Sequence, residues 1–228
     1  MARASMSFGL GLLFVAFSSL AGAQEHVSFP TQDGGLIYAD VYGKGDRGVV
    51  LAHGGRFTKQ SWEKQARILA DAGFRAVAID FRGFGQSHGP GDSDLFTAPV
   101  HLDVLAAVHY LRTTRAKTVS LVGASFGGSA AAQAVIDSPP GEIERLVLLG
   151  AWPDGPPEKL KGRTLFIVAR DDANDDGPRL PKIRAAYEKA PEPKELIILD
   201  GSAHAQFLFQ TDQGDRVMHE ILRFLRAK

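Results

Sequence analysis

Side chains that could together supply a nucleophile, a base and an orienting acid each follow an apolar, strand-like run in this chain. Ser125 lies in Gly-Ala-Ser-Phe-Gly, a Gly-x-Ser-x-Gly pattern, and His204 ends a Gly-Ser-Ala-His turn. Asp171 and Asp172 come directly after a third such run. A serine hydroxyl becomes a strong nucleophile when a histidine takes its proton and a carboxylate orients the imidazole. These residue types at strand ends therefore make Ser125 a candidate nucleophile.

The sequence around Ser125 fits a nucleophile held on a sharp turn. The residue follows the run Thr-Val-Ser-Leu-Val-Gly and precedes an Ala-rich helical segment. Gly123 and Gly127 leave no side chains to collide where backbone segments come close, and a helix that begins here aims free N–H groups at developing negative charge. The alternative is one polar residue in a turn of small residues, because the pattern spans only five positions.

The residues leave the identity of the acid open. Asp171 and Asp172 are the main candidates, and one of them could simply cap the following turn, while Asp154 is a third candidate. His53 also follows a strand-like run. We expect its ring to bond backbone groups in a turn rather than to act as the base.

Strand-like runs alternate with helical periods along most of the chain. Residues 26–45 predict two strands around the turn 33–35, which is an antiparallel start. Further along, a helix is predicted from Ser61 as its cap to a stop at Gly73. The alternation predicts an α/β fold with a mostly parallel, twisted sheet and helices on both faces. Ligands of such sheets bind beyond the carboxyl ends of the strands, where the candidate residues fall.

Composition limits the classes of protein to which this chain can belong. The chain has 228 residues, 44% of them apolar, 26 basic and 26 acidic residues, and no cysteine. Its length suits one domain, predicted over residues 24–228. Balanced charge without a basic stripe argues against nucleic acid or an anionic membrane as the main partner. Without cysteine there is no disulfide or thiolate metal site, and neither a metal cluster nor a dinucleotide fingerprint is apparent, so no cofactor is expected.

Residues 1–23 resemble a signal peptide rather than part of the fold. Arg3 supplies a positive start, residues 8–22 are apolar, and Ala21-Gly22-Ala23 has the small-x-small pattern of a cleavage site. An uncleaved membrane anchor is the alternative, although the apolar core is short for a bilayer span. We expect export to a periplasm or outside the cell, with no membrane association after cleavage.

Four segments together resemble the α/β-hydrolase family. Residues 51–62 resemble its His-Gly-x loop, residues 78–87 its Asp-x-Arg-Gly-x-Gly-x-Ser segment, residues 123–128 its nucleophile elbow and residues 200–204 the turn that carries its histidine. The order Ser, Asp, His along the chain is typical of that family. The resemblance extends from about Val27 to Leu225 and implies an α/β-hydrolase fold.

The resemblance implies roles for the three candidate groups. Ser125 would attack the substrate, His204 would take and return its proton, and an aspartate would orient the imidazole. The family acid usually ends a four-residue stretch that starts at a small residue after the strand. Aligned with residues 169–172, that rule favours Asp172 over Asp171.

The resemblance also implies an oxyanion hole. Its donors would be the backbone N–H groups of Phe126 and Gly55, with Arg56 as the alternative to Gly55 if the loop register differs by one. Arg82 and Ser87 fall in a segment whose family role is packing and loop structure, so we do not expect them to be catalytic.

A small-molecule ester is the expected substrate. The segment between residues 151 and 164 is too short for the helical lid that family members commonly insert there, so no cap domain is expected, and we expect small or soluble esters rather than lipid droplets. Arg56 could meet an anionic substrate, with a solvated rim charge as the alternative, and Trp152 is a second candidate for substrate binding. Aromatic residues that could form an apolar wall, each of which could equally be core, are Phe57, Trp62, Phe126, Trp152 and Phe207.

The sequence therefore predicts a serine hydrolase that cleaves carboxylic esters through an acyl-serine. A peptidase, thioesterase or perhydrolase could use the same triad, because fold and triad fix mechanism better than substrate. A serine rather than an aspartate at position 125 disfavours dehalogenase and epoxide-hydrolase chemistry. The remaining alternative is a non-catalytic binding protein of the cell envelope that keeps the fold.

Overall fold

The computed structural model describes residues 24–95 and 97–227. The predicted signal peptide, residues 1–23, lies outside the described residues. No helix in the described ranges is both long enough and apolar enough to cross a membrane.

The structure is built on an eight-stranded sheet with a separate two-stranded hairpin. The strands are β1 (Glu25–Pro30), β2 (Leu36–Tyr42), β3 (Arg47–Ala52), β4 (Phe74–Ile79), β5 (Thr118–Ala124), β6 (Arg145–Leu149), β7 (Arg163–Ala169), β8 (Ala173–Asn174), β9 (Gly177–Pro178) and β10 (Lys194–Leu199). The large sheet has the order β1-β2-β4-β3-β5-β6-β7-β10. Strand β2 pairs antiparallel with both β1 and β4, and all other neighbours are parallel. The predicted α/β-hydrolase architecture, including its antiparallel N-terminal hairpin, is confirmed.

Helices cover both faces of this sheet. They are α1 (Glu63–Asp71), α2 (His101–Thr113), α3 (Phe126–Asp137), α4 (Leu180–Lys189) and α5 (Gly214–Arg226), with 3-10 helices at Lys59–Trp62, Pro157–Lys159 and Ala205–Gln210. Helices α2, α3 and α4 pack on one face and α1 and α5 on the other. In β3, Val50 belongs to the first core and Leu51 to the second, and both are buried. Burial on both faces explains why the parallel strands read as continuous apolar runs.

The connections after β4 and β6 shape the edge of the sheet where the candidate residues lie. Residues 150–162, between β6 and β7, contain only the 3-10 turn Pro157–Lys159. No helical insertion lies over the sheet at this point of the described chain.

A buried arginine holds the long connection between β4 and α2. Arg82 is fully buried, and its Nε donates to Asp103 Oδ1 at 2.9 Å while its Nη1 donates to Asp33 Oδ2 at 2.6 Å. The guanidinium lowers the pKa of Asp33 to about 2. Because charged hydrogen bonds of this kind are strong, Arg82 ties the N-terminal hairpin turn and α2 to the loop that follows β4. This contact agrees with the packing role that the resemblance implied for Arg82.

Candidate active site

The three candidate groups meet at one edge of the sheet, although 79 positions separate Ser125 from His204. Strands β5, β6, β7 and β10 run parallel to one another, so their carboxyl ends lie along the same edge. Ser125 directly follows β5, Asp172 follows β7 and His204 follows β10. The topology therefore brings together side chains that the sequence places after three different strands.

A continuous hydrogen-bonded path joins these three side chains. His204 Nε2 lies 2.7 Å from Ser125 Oγ, and His204 Nδ1 lies 2.7 Å from Asp172 Oδ2. An ionised carboxylate can only accept, so Nδ1 of the neutral imidazole carries the proton and Nε2 is free to accept the serine hydroxyl. The geometry can deprotonate Ser125 as it attacks an electrophile.

The structure places the three candidate acids differently. Asp172 is fully buried and contacts His204. Asp171 is exposed, and its backbone N–H donates to Gly201 O at 2.9 Å. Asp154 lines one cavity beside Ser125, and His204 lines a different one. Of the three, Asp172 is the one within hydrogen-bond distance of the imidazole.

Ser125 has a strained backbone that small neighbours make possible. Its φ of 50° and ψ of −120° are unusual for a residue with a side chain. A Cβ atom on Gly127 would lie 2.4 Å from His53 O, and one on Gly123 would lie 2.5 Å from Gly127 O. Neither position can accept a side chain without moving backbone, which gives the two glycines of the pattern a steric reason.

The two predicted oxyanion donors lie on the same cavity as Ser125. Phe126 is the first residue of α3, so its N–H has no partner within that helix. A Cβ atom on Gly55 would lie 3.8 Å from the Cβ of Phe126, and Gly55, Arg56 and Phe126 all line the cavity beside Ser125. Backbone N–H groups at this place could meet negative charge that develops on a substrate oxygen.

His53 supports the loop that contains Gly55. Its buried ring donates from Nδ1 to Gly54 O at 2.9 Å and accepts at Nε2 from the backbone N–H of Phe81 at 3.4 Å. Burial lowers the pKa of His53, which favours the neutral ring that this pattern of bonds requires. The ring is bonded to backbone in a turn, as the sequence predicted.

Gln206 is a supporting residue that the sequence analysis missed. Its buried side chain accepts from the Gly54 N–H at 2.7 Å through Oε1 and donates to Ser61 Oγ at 2.8 Å through Nε2. The prediction that Ser61 caps α1 was wrong, because the helix begins at Glu63 without a side-chain cap. The Ser61 hydroxyl is used instead to hold Gln206, so the turn after His204 is tied to the loop before Gly55. A contact across 152 positions leaves no local signal in the sequence.

We expect Gln206→Leu to lower kcat for ester hydrolysis about tenfold with little change in KM, because the buried Gly54 N–H loses its acceptor and the oxyanion loop is no longer fixed. Gln206→Glu keeps an acceptor for Gly54 and should recover most of the rate. Steady-state kinetics on 4-nitrophenyl acetate, with a thermal melt of each variant, checks this. Equal losses in both variants that follow their melting temperatures would show a purely structural role.

Three cavities open onto Ser125, and Ser125 and Phe126 line all of them. The helix-side cavity, about 390 Å³, is lined by Leu95, Val100, His101, Gln133 and Asp154. The arginine-side cavity, about 300 Å³, is lined by Gly55, Arg56, Phe57, Arg179, His204 and Phe207. The tryptophan-side cavity, about 140 Å³, is lined by Gly150, Trp152 and Arg179. The nucleophile is thus reached from more than one direction.

The candidate aromatic wall is partly present. Phe57 and Phe207 pack with their ring centroids 5.0 Å apart and line the arginine-side cavity, and Trp152 lines the tryptophan-side cavity. Trp62 is fully buried in the core and does not line any of the three. Because it is fully buried, Trp62 is not part of an apolar wall at the site, and its alternative role in the core holds.

Arg179 is the second residue at the site that the sequence analysis missed. The hairpin β8–β9 follows Asp172 and returns the chain so that the Arg179 N–H donates to Asp172 O at 2.9 Å. The Arg179 Nε also lies 3.3 Å from Asp172 Oδ1. Strands of two residues have no periodicity to detect, so the sequence did not indicate that this arginine returns to Ser125.

Within residues 24–95 and 97–227, no group of histidine, aspartate and glutamate side chains has an arrangement that could hold a metal ion.

Comparison with known proteins gives consistent matches. A family model described as alpha/beta hydrolase fold matches residues 48–208. The chain is 36% identical over 93 residues to an epoxide hydrolase from Caballeronia sordidicola, covering 40% of this chain and 27% of that protein. It is 30% identical over 156 residues to a non-heme chloroperoxidase from Streptomyces lividans, covering 64% of this chain and 48% of that protein. The chain thus spans about half or less of the length of these curated relatives.

Among solved structures, an esterase from Exiguobacterium antarcticum superposes with a TM-score of 0.73 at 17% identity, over 89% of this chain and all of the other. At that identity the similarity concerns the fold alone. Together with the family match, it supports the α/β-hydrolase fold of this chain.

Proposed function

Since this chain belongs to the α/β-hydrolase family, we propose that it is a serine hydrolase that cleaves carboxylic esters through an acyl-serine intermediate. One observation carries the proposal: Ser125 Oγ, the His204 ring and the Asp172 carboxylate are joined by two contacts of 2.7 Å. Nucleophile, base and orienting acid are each within hydrogen-bond reach of the next, as this reaction requires.

The proposed reaction has two halves. Ser125 Oγ attacks the ester carbonyl carbon while its proton passes to His204 Nε2, and the carbonyl oxygen becomes an oxyanion that the N–H groups of Phe126 and Gly55 hold. The C–O bond to the alcohol then breaks, and the leaving oxygen takes the proton from His204. Water attacks the acyl-serine in the second half, with His204 first accepting and then returning a proton, which releases the acid and restores the Ser125 hydroxyl.

The location of Ser125 suits this chemistry. It directly precedes α3, whose N-terminus carries a partial positive charge beside the reacting centre. Buried Asp172 stabilises the imidazolium that forms at His204 and keeps the ring oriented. The strained backbone at Ser125 is maintained by the glycines around it and holds Oγ towards the cavities.

Small or soluble esters are the proposed substrates. The connection from β6 to β7 has only a short 3-10 turn, and the cavities beside Ser125 are modest in volume, about 300 and 390 Å³. Cavities of this size lie at the lower end of the range for small-molecule sites. Export of the chain, suggested by residues 1–23, is part of the same proposal.

Perhydrolysis is a second candidate activity, because a relative 30% identical to this chain bears the name non-heme chloroperoxidase. In this reaction hydrogen peroxide, rather than water, would attack the acyl-serine and release a peracid. The test cleaves acetate esters in the presence of hydrogen peroxide and detects peracetic acid through its oxidation of a halide, which a dye reports. Formation of peracetic acid indicates perhydrolysis, and formation of acetate alone indicates hydrolysis.

The direct test of the main proposal is covalent labelling. A fluorophosphonate is expected to attach to Ser125, because its phosphorus accepts the activated Oγ and fluoride leaves, and mass spectrometry of the peptide that contains Ser125 locates the adduct. 4-Nitrophenyl acetate should give a burst of nitrophenolate equal to the enzyme concentration if deacylation is slower than acylation. A folded protein that neither labels nor hydrolyses any ester would rule out the proposal in favour of a binding role.

A further inference from the structure

Two of the cavities that open onto Ser125 differ in the charged residues that line them. Arg56 and Arg179 line the arginine-side cavity, which has no aspartate or glutamate among the described residues that line it. The helix-side cavity has Asp154 and neither lysine nor arginine among its described lining. A negatively charged part of a substrate is therefore better accommodated in the arginine-side cavity than in the helix-side cavity.

Arg179 is held in place and still offers free donors. Its side chain is only 18% exposed, and its Nε lies 3.3 Å from Asp172 Oδ1 without hydrogen-bond geometry. No hydrogen bond joins its terminal nitrogens to any of the described residues. Arg179 lines both the arginine-side and the tryptophan-side cavity together with Ser125. Two parallel N–H donors in a fixed plane match the two oxygens of a carboxylate.

The position of Arg179 opposes what helix stability favours. It immediately precedes α4, whose first turn contains no acidic residue, and Lys182 follows within that turn. Cations near a helix N-terminus are unfavourable, because the helix dipole is positive there. A stretch that stabilised α4 would carry aspartate or glutamate instead. The local cost indicates that positive charge at this place serves something other than the helix.

Arg56 adds a second cation from a different element. It lies on the exposed loop after β3, next to the proposed oxyanion donor Gly55. The rings of Phe57 and Phe207, packed at an interplanar angle of 57°, line the same cavity and provide an apolar surface for the carbon chain between an ester and a second functional group. Neither arginine has a described carboxylate in this cavity other than the buried Asp172 beneath Arg179.

We propose that the substrates of this site are esters that also carry a carboxylate, bound by Arg179 with Arg56 in the arginine-side cavity. This inference rests on the proposed ester hydrolysis and names its substrate class. The carboxylate accepts from the Arg179 guanidinium, the ester carbonyl lies over Ser125, and the reaction itself is unchanged.

Two matched ester pairs test the proposal. Phenyl hydrogen adipate carries the charge on the acyl side and phenyl adipamate is its neutral amide, while 3-carboxyphenyl acetate and 3-carbamoylphenyl acetate place the same change on the leaving group. We expect the wild type to have a kcat/KM about tenfold higher for the anionic member of at least one pair, because charged hydrogen bonds are stronger than neutral ones.

Arginine variants then show where the charge is recognised. In Arg179→Gln the ratio of kcat/KM for anionic over neutral ester should fall about tenfold, and in Arg56→Gln by less, because Arg56 is exposed and screened. Using the ratio cancels any loss that Arg179→Gln causes through Asp172. Arg170→Gln is the matched control, since Arg170 is an exposed arginine after β7 that lines none of the three cavities. Its ratio should equal that of the wild type.

The outcomes separate this inference from the proposed function. A wild type that cleaves the neutral esters through Ser125 without preferring either anionic ester overturns the carboxylate proposal alone. A preference that survives Arg179→Gln and Arg56→Gln, or that responds equally to Arg170→Gln, also overturns it. A wild type that cleaves none of the four esters overturns the proposed ester hydrolysis and this inference with it.

Discussion

Replacing Ser125 with alanine is expected to abolish ester hydrolysis, lowering kcat by about 10⁴- to 10⁶-fold. The loss should be this large because Ser125 Oγ, which lies 2.7 Å from His204 Nε2, forms the new bond to the substrate in the first step. Labelling by a fluorophosphonate should disappear in the same variant. Both results are measured against the wild type on 4-nitrophenyl acetate, with the spontaneous rate subtracted.

A second variant shows that this loss does not come from unfolding. Ser125 has a φ of 50°, a conformation that costs a residue with a Cβ but not glycine. Ser125→Gly and Ser125→Ala both lack the hydroxyl, but glycine also relieves the backbone strain, by about 1 kcal/mol. The glycine variant should therefore unfold about 2–4 °C above the alanine variant. Thermal unfolding followed by circular dichroism measures the difference.

These two variants are informative because their activities should be equal while their unfolding temperatures differ. Ser125→Gly should be as inactive as Ser125→Ala while being the more stable of the two. Residual hydrolysis within tenfold of the wild type in either variant would show that another group attacks the ester. An alanine variant more stable than the glycine variant would contradict the strain that the backbone geometry implies.

The sequence predicted the fold and two members of the site for a physical reason. Strands buried on both faces are continuous apolar runs, and functional residues in such sheets follow strand ends. Ser125 follows such a strand, and His204 follows the apolar but partly buried edge strand β10, so their meeting at one sheet edge could be expected without coordinates. Gly123 and Gly127 carry a local signal too, because a turn where backbones touch excludes side chains.

The residues alone could not separate Asp171 from Asp172. Both come within three residues of the end of β7, and the choice depends on which way the chain turns after the strand ends. The structure turns the chain so that Asp172 is buried against His204 and Asp171 is exposed. The family rule for the acid favoured the same residue, which shows that register information came from the resemblance rather than from hydrophobic periodicity.

Contacts between distant loops could not be predicted from the sequence. Gln206 and Ser61 lie 145 positions apart and are joined by a single hydrogen bond, and Arg179 reaches the site through a hairpin of two-residue strands. Polar residues in loops have no periodic pattern, and most are solvated. Ser61 had a plausible local interpretation as a helix cap, but the tertiary hydrogen bond to Gln206 prevailed over it.

The two aspartates after β7 give the last prediction. In Asp172→Asn the side-chain amide can donate to His204 Nδ1, which forces the proton onto Nε2 and leaves no acceptor for the Ser125 hydroxyl. We expect kcat for 4-nitrophenyl acetate to fall about 10⁴-fold. Asp171→Asn makes the same chemical change one position earlier, on an exposed side chain, and should alter kcat by less than about twofold.

The contrast between these variants decides the acid, because each removes one negative charge from the same turn. Long-range electrostatic effects on His204 are therefore similar, and what differs is the hydrogen bond of 2.7 Å between His204 Nδ1 and Asp172 Oδ2. A large loss in Asp171→Asn with an active Asp172→Asn would place the acid one residue earlier than the structure does. Equal, small losses in both would mean that His204 is oriented without a carboxylate, and the buried Asp172 would then be explained by its ion pair with Arg179 alone.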